Sequence, residues 1–197
     1  MQKLSGKSGR IKIGSAITIT GAVCTDGVVA VTAVNTLSVG MFVLISGVVG
    51  MTDLNNSGKG HLVTVASGSG FSVVLATAQT YTSGGTAKRI IPITEYNLNI
   101  NGEVGDAVDS ESGEWKERLA GKFKDWDFDY NGIDYSGAAM PPVNEELAVE
   151  LDIDANNYYS GNAIFDNAKI GVKIEGAQNV SISGTAKGNG ALTKTAA

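Results

Sequence analysis

Apolar and polar positions alternate with a period of two along most of this chain, the pattern of strands with one buried face. Runs rich in β-branched and aromatic residues stand at Val28-Val29-Ala30-Val31-Thr32, Met41-Phe42-Val43-Leu44-Ile45, His61-Leu62-Val63-Thr64-Val65 and Phe71-Ser72-Val73-Val74-Leu75. Gly, Ser, Asn or Asp lies near the ends of each. Their spacing of roughly 10–15 residues predicts a small all-β sandwich or barrel. Beyond Ile90, strands are expected over Thr94–Asn101, Phe123–Asn131, Leu147–Asp154, Ser160–Asp166, Ala168–Ile174 and Asn179–Thr185. One short helix is expected over Asp109–Leu119, with Ser110 or Ser112 as its cap, Glu111 and Glu114 in its first turn and Gly121 as its stop. Trp115, Leu119 and Trp126 are then candidates to pack that helix against the sheet. The expected fold is mainly β (α+β), dominated by antiparallel strands.

Two strands carry the most information. Trp126, Phe128 and Tyr130 share one face of their strand, and Asp125, Asp127 and Asp129 share the other. Val149, Leu151 and Ile153 likewise oppose Glu150, Asp152 and Asp154. Each strand offers the core an apolar face, and each acidic face is expected to stay in water, because unpaired carboxylates are costly to bury.

Composition sharpens this picture. Of 197 residues, 43% are hydrophobic and 18% charged, which supports a packed core rather than disorder. The 26 glycines beside three prolines point to many turns. Net charge is −5, which argues against a protein built to grip phosphates. Residues 1–90 hold seven Lys/Arg and two Asp/Glu, whereas residues 91–197 hold eight and eighteen. Aromatics follow the same split: only Phe42, Phe71 and Tyr81 precede residue 91. Two modules are expected, the first from about Ala16 to Arg89.

Catalytic patterns are missing. Cys24 is the lone cysteine and His61 the lone histidine, so neither a disulfide nor a Cys-based zinc site nor a Ser-His-Asp or Cys-His arrangement is indicated. Asp125-Trp126-Asp127-Phe128-Asp129 lacks the turn glycine and distal glutamate of a calcium loop. No carboxylate pair is marked as glycosidase-like. The expectation is a non-enzyme without metal or cofactor. The start of the chain has no secretory signal and no run is long enough to span a membrane, so a protein made in a cytoplasm is expected.

Several segments, taken in order, resemble one family. Ser5-Gly6-Lys7-Ser8-Gly9-Arg10-Ile11-Lys12-Ile13 resumes at Ile93-Thr94-Glu95-Tyr96-Asn97-Leu98-Asn99-Ile100, and Gly113-Glu114-Trp115-Lys116-Glu117-Arg118-Leu119-Ala120-Gly121 leads into Lys124-Asp125-Trp126-Asp127. Tyr159-Ser160-Gly161-Asn162-Ala163-Ile164 and the glycine-rich Ser183–Leu192 close the series. Together these resemble the tail tube (major tail) proteins of long-tailed bacteriophages. The match covers 1–14 and 91–197. The intervening stretch resembles a small β module of phage structural proteins, carried on Val48–Asn55, Val63-Thr64-Val65 and Thr82–Arg89.

The resemblance implies a discontinuous tube domain, residues 1–15 and 91–197, with residues 16–90 inserted and projecting outside the tube. It implies hexameric rings that stack into a conduit for DNA ejection within the virion tail, assembled in the host cytoplasm. The implied partners are further copies of the chain, a tape measure protein, and tail terminator or baseplate proteins, with DNA passing unbound. On this reading Asp125, Asp127, Asp129, Glu150, Asp152 and Asp154 include residues facing the bore, with one of the two stripes on the outer wall or at a subunit interface opposite Lys or Arg as the competing placement. Residues 131–142 and the N-terminal arm are candidates for contacts between rings, and the positive balance of the first half suggests an anionic host surface, or adjacent subunits of the acidic tube, as the target of the inserted module. The alternative is a virion β domain that binds a host-surface glycan or receptor.

Overall fold

A computed structural model describes residues 10–55, 60–107, 117–133, 141–154, 156–172 and 180–196. The chain is mainly β, and its described residues form twelve strands in two antiparallel sheets. They are β1 (Arg10–Thr18), β2 (Gly21–Thr25), β3 (Val28–Thr32), β4 (Phe42–Ser46), β5 (His61–Leu62), β6 (Val65–Ser67), β7 (Gly70–Val74), β8 (Thr86–Ala107), β9 (Glu117–Ile133), β10 (Glu146–Asp152), β11 (Tyr158–Val172) and β12 (Val180–Thr195).

Six strands form a closed circuit. β1 pairs with β10, β10 with β11, β11 with β12, β12 with β9, β9 with β8, and β8 again with β1. Closure gives every member two partners and removes open sheet edges where the ladders overlap. The interior holds Ile11, Ile13, Ile91, Tyr96, Trp126, Phe128, Tyr130, Leu151, Phe165 and Ile182 in one cluster. Phe165 meets Phe128 and Tyr130 edge-on, with ring centroids 5.9 and 6.1 Å apart. Such edge-to-face pairs favour a single packing arrangement.

The glycines of β12 and β11 make room for these rings. Gly161 and Gly188 lie against the Trp126 indole, and Gly184 lies against the Tyr130 ring and hydroxyl. Trp126 donates its Nε1–H to the Gly190 carbonyl at 3.0 Å. The glycine-rich closing segment thus follows from the size of the aromatics opposite it.

A second cluster of buried side chains draws on residues 19–87 alone, including Val29, Val31, Val43, Ile45, Met51, Leu54, Val63, Phe71 and Val73. Its strands divide between the sheets. β2, β3, β7 and β6 form the four-stranded sheet, while β4 extends the large sheet by pairing with Thr86–Ile90 of β8 and β5 adds to it by pairing with β4. β8 therefore runs unbroken across the boundary that charge and aromatics suggest at residue 90.

Three expectations change. No α-helix occurs among the described residues. Leu119 lies in β9 opposite Gly105, so the end of the expected helix is strand, and Trp115 falls outside the described residues. Trp126 packs inside the strand circuit rather than on a helix. The first-half positive charge is not a property of the second cluster's segment. Arg10, Lys12, Lys88 and Arg89 sit on β1 and β8, and between Ile19 and Ala87 the only charges are Lys59, Asp26 and Asp53.

Candidate functional site

The alternation seen in sequence places two acidic stripes in very different surroundings. On β9, Trp126, Phe128 and Tyr130 are buried, Asp125 is exposed, and Asp127 and Asp129 are half-buried. β8 lies alongside with Asn97 opposite Asp129, Asn99 opposite Asp127 and Asn101 opposite Asp125. Asn97 donates its amide to Asp129 Oδ2 at 2.7 Å, Asn99 to Asp127 Oδ1 at 2.7 Å, and Asn101 to Asp127 Oδ2 at 3.2 Å. One pair further along, Asn131 donates to Glu95 Oε1 at 3.1 Å.

This ladder has a definite electrostatic consequence. A carboxamide satisfies a carboxylate's lone pairs without cancelling its charge. Among the described residues no Lys or Arg forms an ion pair with Asp125, Asp127 or Asp129. Their side chains are held in place while the face stays anionic. Beside it, on β12 and β11, the polar Ser183, Thr185 and Asn167 and one cation, Lys169, border a shallow groove with Asp129 and Asn131. Lys187 stands opposite Asp127 in register, but its Nζ is directed to Asp166, 3.9 Å away.

The second stripe behaves otherwise. Asp152 is buried, and it accepts from Arg10 Nε at 2.8 Å and Lys12 Nζ at 2.9 Å. Glu150 pairs with Lys12 at 3.2 Å and closely with Lys88. Burial would raise the Glu150 carboxyl, but Lys88 and Lys12 outweigh it and hold the group below its ordinary value. Three cations thus neutralise two carboxylates, and the expectation that this face stays wet and repulsive is overturned. Asp154 serves another purpose: it lies beyond β10 and accepts from the backbone N–H groups of Asn156 and Asn157 at 2.8 and 2.9 Å. Those donors, with the Asn157 side chain, pull its carboxyl down. It is a turn-closing residue.

Sequence reasoning passed over the donors. Asn97-Leu98-Asn99-Ile100-Asn101 carries the same period of two as Asp125-Trp126-Asp127-Phe128-Asp129, and matching the two alternations pairs them. Arg10, Lys12 and Lys88 had no local signal, since their acids lie 62 residues or more away. His61 is buried and donates Nε2–H to the Leu54 carbonyl at 2.9 Å, a structural role. A cavity of about 780 Å³ opens between β1, Leu147 and the Thr32–Leu37 loop, with Arg89 as its charged lining residue. Burial lowers the Arg89 pKa, an effect partly countered by Glu145.

Among the described residues, no group of three or more His, Cys, Asp or Glu is arranged to hold a metal ion, and no helix is long and apolar enough to cross a membrane. Residues 134–140 of the expected ring-contact loop and residues 1–9 lie outside the described residues. The chain matches no protein-family model, and no curated protein is significantly similar to it.

Proposed function

We propose that this protein is a virion structural subunit that assembles into stacked hexameric rings, forming a phage tail tube through which DNA leaves the capsid. The observation that carries the reading is the β8–β9 face, where asparagine amides order Asp127 and Asp129 without neutralising them. A conduit must keep DNA hydrated and mobile. Fixed carboxylates do this because each repels a phosphate by about 0.4 kcal/mol at 10 Å in water, and a ring multiplies that sixfold. Of the six acidic candidates, Asp125, Asp127 and Asp129 fit the bore. Glu150 and Asp152 do not, because their charge is cancelled internally, and Asp154 closes a turn.

The β-rich architecture supports the same reading. β8 and β9 pair far beyond the point where β12 stops accompanying β9, out to Ala107 opposite Glu117, and no other described strand pairs with β9 there, a ladder edge that a neighbouring subunit could use. Repeated head-to-tail contacts of this kind build rings and stacks. Further copies, a tape measure protein inside the tube and terminator or baseplate proteins at its ends are the partners this role requires. The glycan-binding alternative draws no support from the 19–87 segment, where Phe71 is buried and Phe42 and Tyr81 are partly buried, leaving no exposed aromatic among the described residues.

Negative-stain microscopy of the purified chain tests the proposal: tubes of uniform width are expected, and a monodisperse monomer at high concentration overturns it. In assembled particles, Asp127→Lys with Asp129→Lys is expected to slow DNA release and to make it salt-sensitive. Unchanged release would remove these residues from the bore.

A further inference from the structure

The four-stranded sheet ends in an edge that lacks the usual protection. Native edges are blunted by Lys, Pro, bulges or covering loops. β2 reads Gly21-Ala22-Val23-Cys24-Thr25, with no charge and no proline, and among the described residues it pairs with β3 alone. The geometry of its outward groups is set by the turn that follows. Asp26 and Gly27 both have positive φ, 51° and 79°, as a two-residue type I′ hairpin turn demands. That turn makes Thr25 and Val28 a hydrogen-bonded pair, as are Val23–Ala30 and Gly21–Thr32 by alternation. Ala22 and Cys24 therefore turn their N–H and C=O groups away from β3, and no described residue pairs with them.

We infer that β2 pairs antiparallel with β2 of a second copy of this chain about a two-fold axis at Val23. In that register Ala22 faces the partner's Cys24 and Cys24 faces the partner's Ala22. Four backbone hydrogen bonds form and all four outward groups of each strand are satisfied. A second copy is the occupant because the seam is self-complementary and free of charge. β2, β3, β6 and β7 contain no Asp, Glu, Lys or Arg, whereas copies of a chain with net charge −5 repel over their acidic faces. Val23, 66% exposed, meets its own counterpart across the axis, and Thr25 flanks it. A five-residue seam buries less than the roughly 1,200 Å² of stable complexes, so the contact is transient in solution and strengthens where copies are arrayed.

The contact is two-fold and isologous, independent of the head-to-tail contacts of a ring. It stands or falls without the tube. The test is disulfide trapping of the full chain in a Cys24→Ser background under copper-phenanthroline oxidation. A non-hydrogen-bonded antiparallel pair brings Cα atoms to about 4.5 Å, within disulfide reach. Val23→Cys is expected to form an interchain disulfide at least about tenfold faster than Val65→Cys, an equally exposed position on the opposite edge strand. Adding Ala22→Pro removes one outward N–H without touching the β2–β3 ladder and is expected to return the rate to that of the control. Should that variant lose its near-UV circular dichroism, Val23→Cys with Cys24→Pro removes the other outward donor instead. Equal rates for Val23→Cys and Val65→Cys overturn the seam, as does a fast rate that the prolines leave unchanged. Micrographs of the same samples report separately on tube formation.

Discussion

The Trp126 indole occupies the space that a side chain on Gly188 would fill, so one wall of the strand circuit is built from hydrogen atoms. Gly188→Ala forces a methyl group against the rigid indole. A loss of about 2–3 kcal/mol is expected, read by urea denaturation followed through tryptophan fluorescence. Gly190, which has open space around its Cα but a φ of 84°, is expected to tolerate Asn better than Ala.

Tyr96 and Tyr130 are buried in the same interior, and burial pushes both phenols up to about 12. Asp152 and Tyr159 add to the rise at Tyr96. A raised phenol contributes stability that is fully present below its unfolded value of about 10 and is lost as pH climbs through 12. Absorbance at 295 nm is expected to show Tyr96 and Tyr130 ionising late, together with unfolding.

The cluster joining β1, β8 and β10 responds at the other end of the pH scale. The Glu150 carboxyl is depressed, so its contribution is present above the unfolded value of about 4.3 and fades as pH falls through its lower folded value. Glu150→Gln is expected to flatten the acid limb of the stability curve below that point. Asp152→Ala should be more damaging at neutral pH, by about 3 kcal/mol, because it removes the buried carboxylate that Arg10 and Lys12 share. Thermal melts across pH 2.5–7 separate the two variants.

Residues 19–85 leave and rejoin the barrel strands at Thr18 and Thr86, which face each other in register. Replacing Ile19–Gly85 with an Asn-Gly turn is expected to leave the circuit folded, since its cluster draws on none of the deleted residues as fully buried members. A near-UV circular dichroism spectrum like that of the full chain is the expected result. An insoluble product would make the segment part of the barrel's fold.

Where alternation and turn chemistry act locally, the strands were legible: Val28–Thr32 is a strand as read, fixed by the Asp26–Gly27 turn. His61–Val65 reads as one strand but is two. β5 pairs with β4 in the large sheet and β6 with β7 in the small one, the chain changing sheets at Val63 and Thr64. The break expected near Asn167 is a bulge inside a single strand, because the β12 ladder holds both halves. The acidic stripes show the same limit. Period two told which side chains share a face, but the partners across that face come from distant strands: asparagines for Asp127, cations for Asp152. Charge suggested a module boundary near residue 90, yet β8 runs through that point and the described positive charges of the first half sit on β1 and β8.

Circuit closure also dictates an order of events during synthesis. β12 alone joins β9 to β11, and β1 has its second neighbour only once β10 exists. A nascent chain halted by the ribosome before Val180 therefore carries the whole aromatic interior half-walled, with β9 and β11 both unzipped along the gap. Of the six circuit strands, the one that emerges after the other five is the one that locks them, and a polypeptide truncated before it is a sticky one.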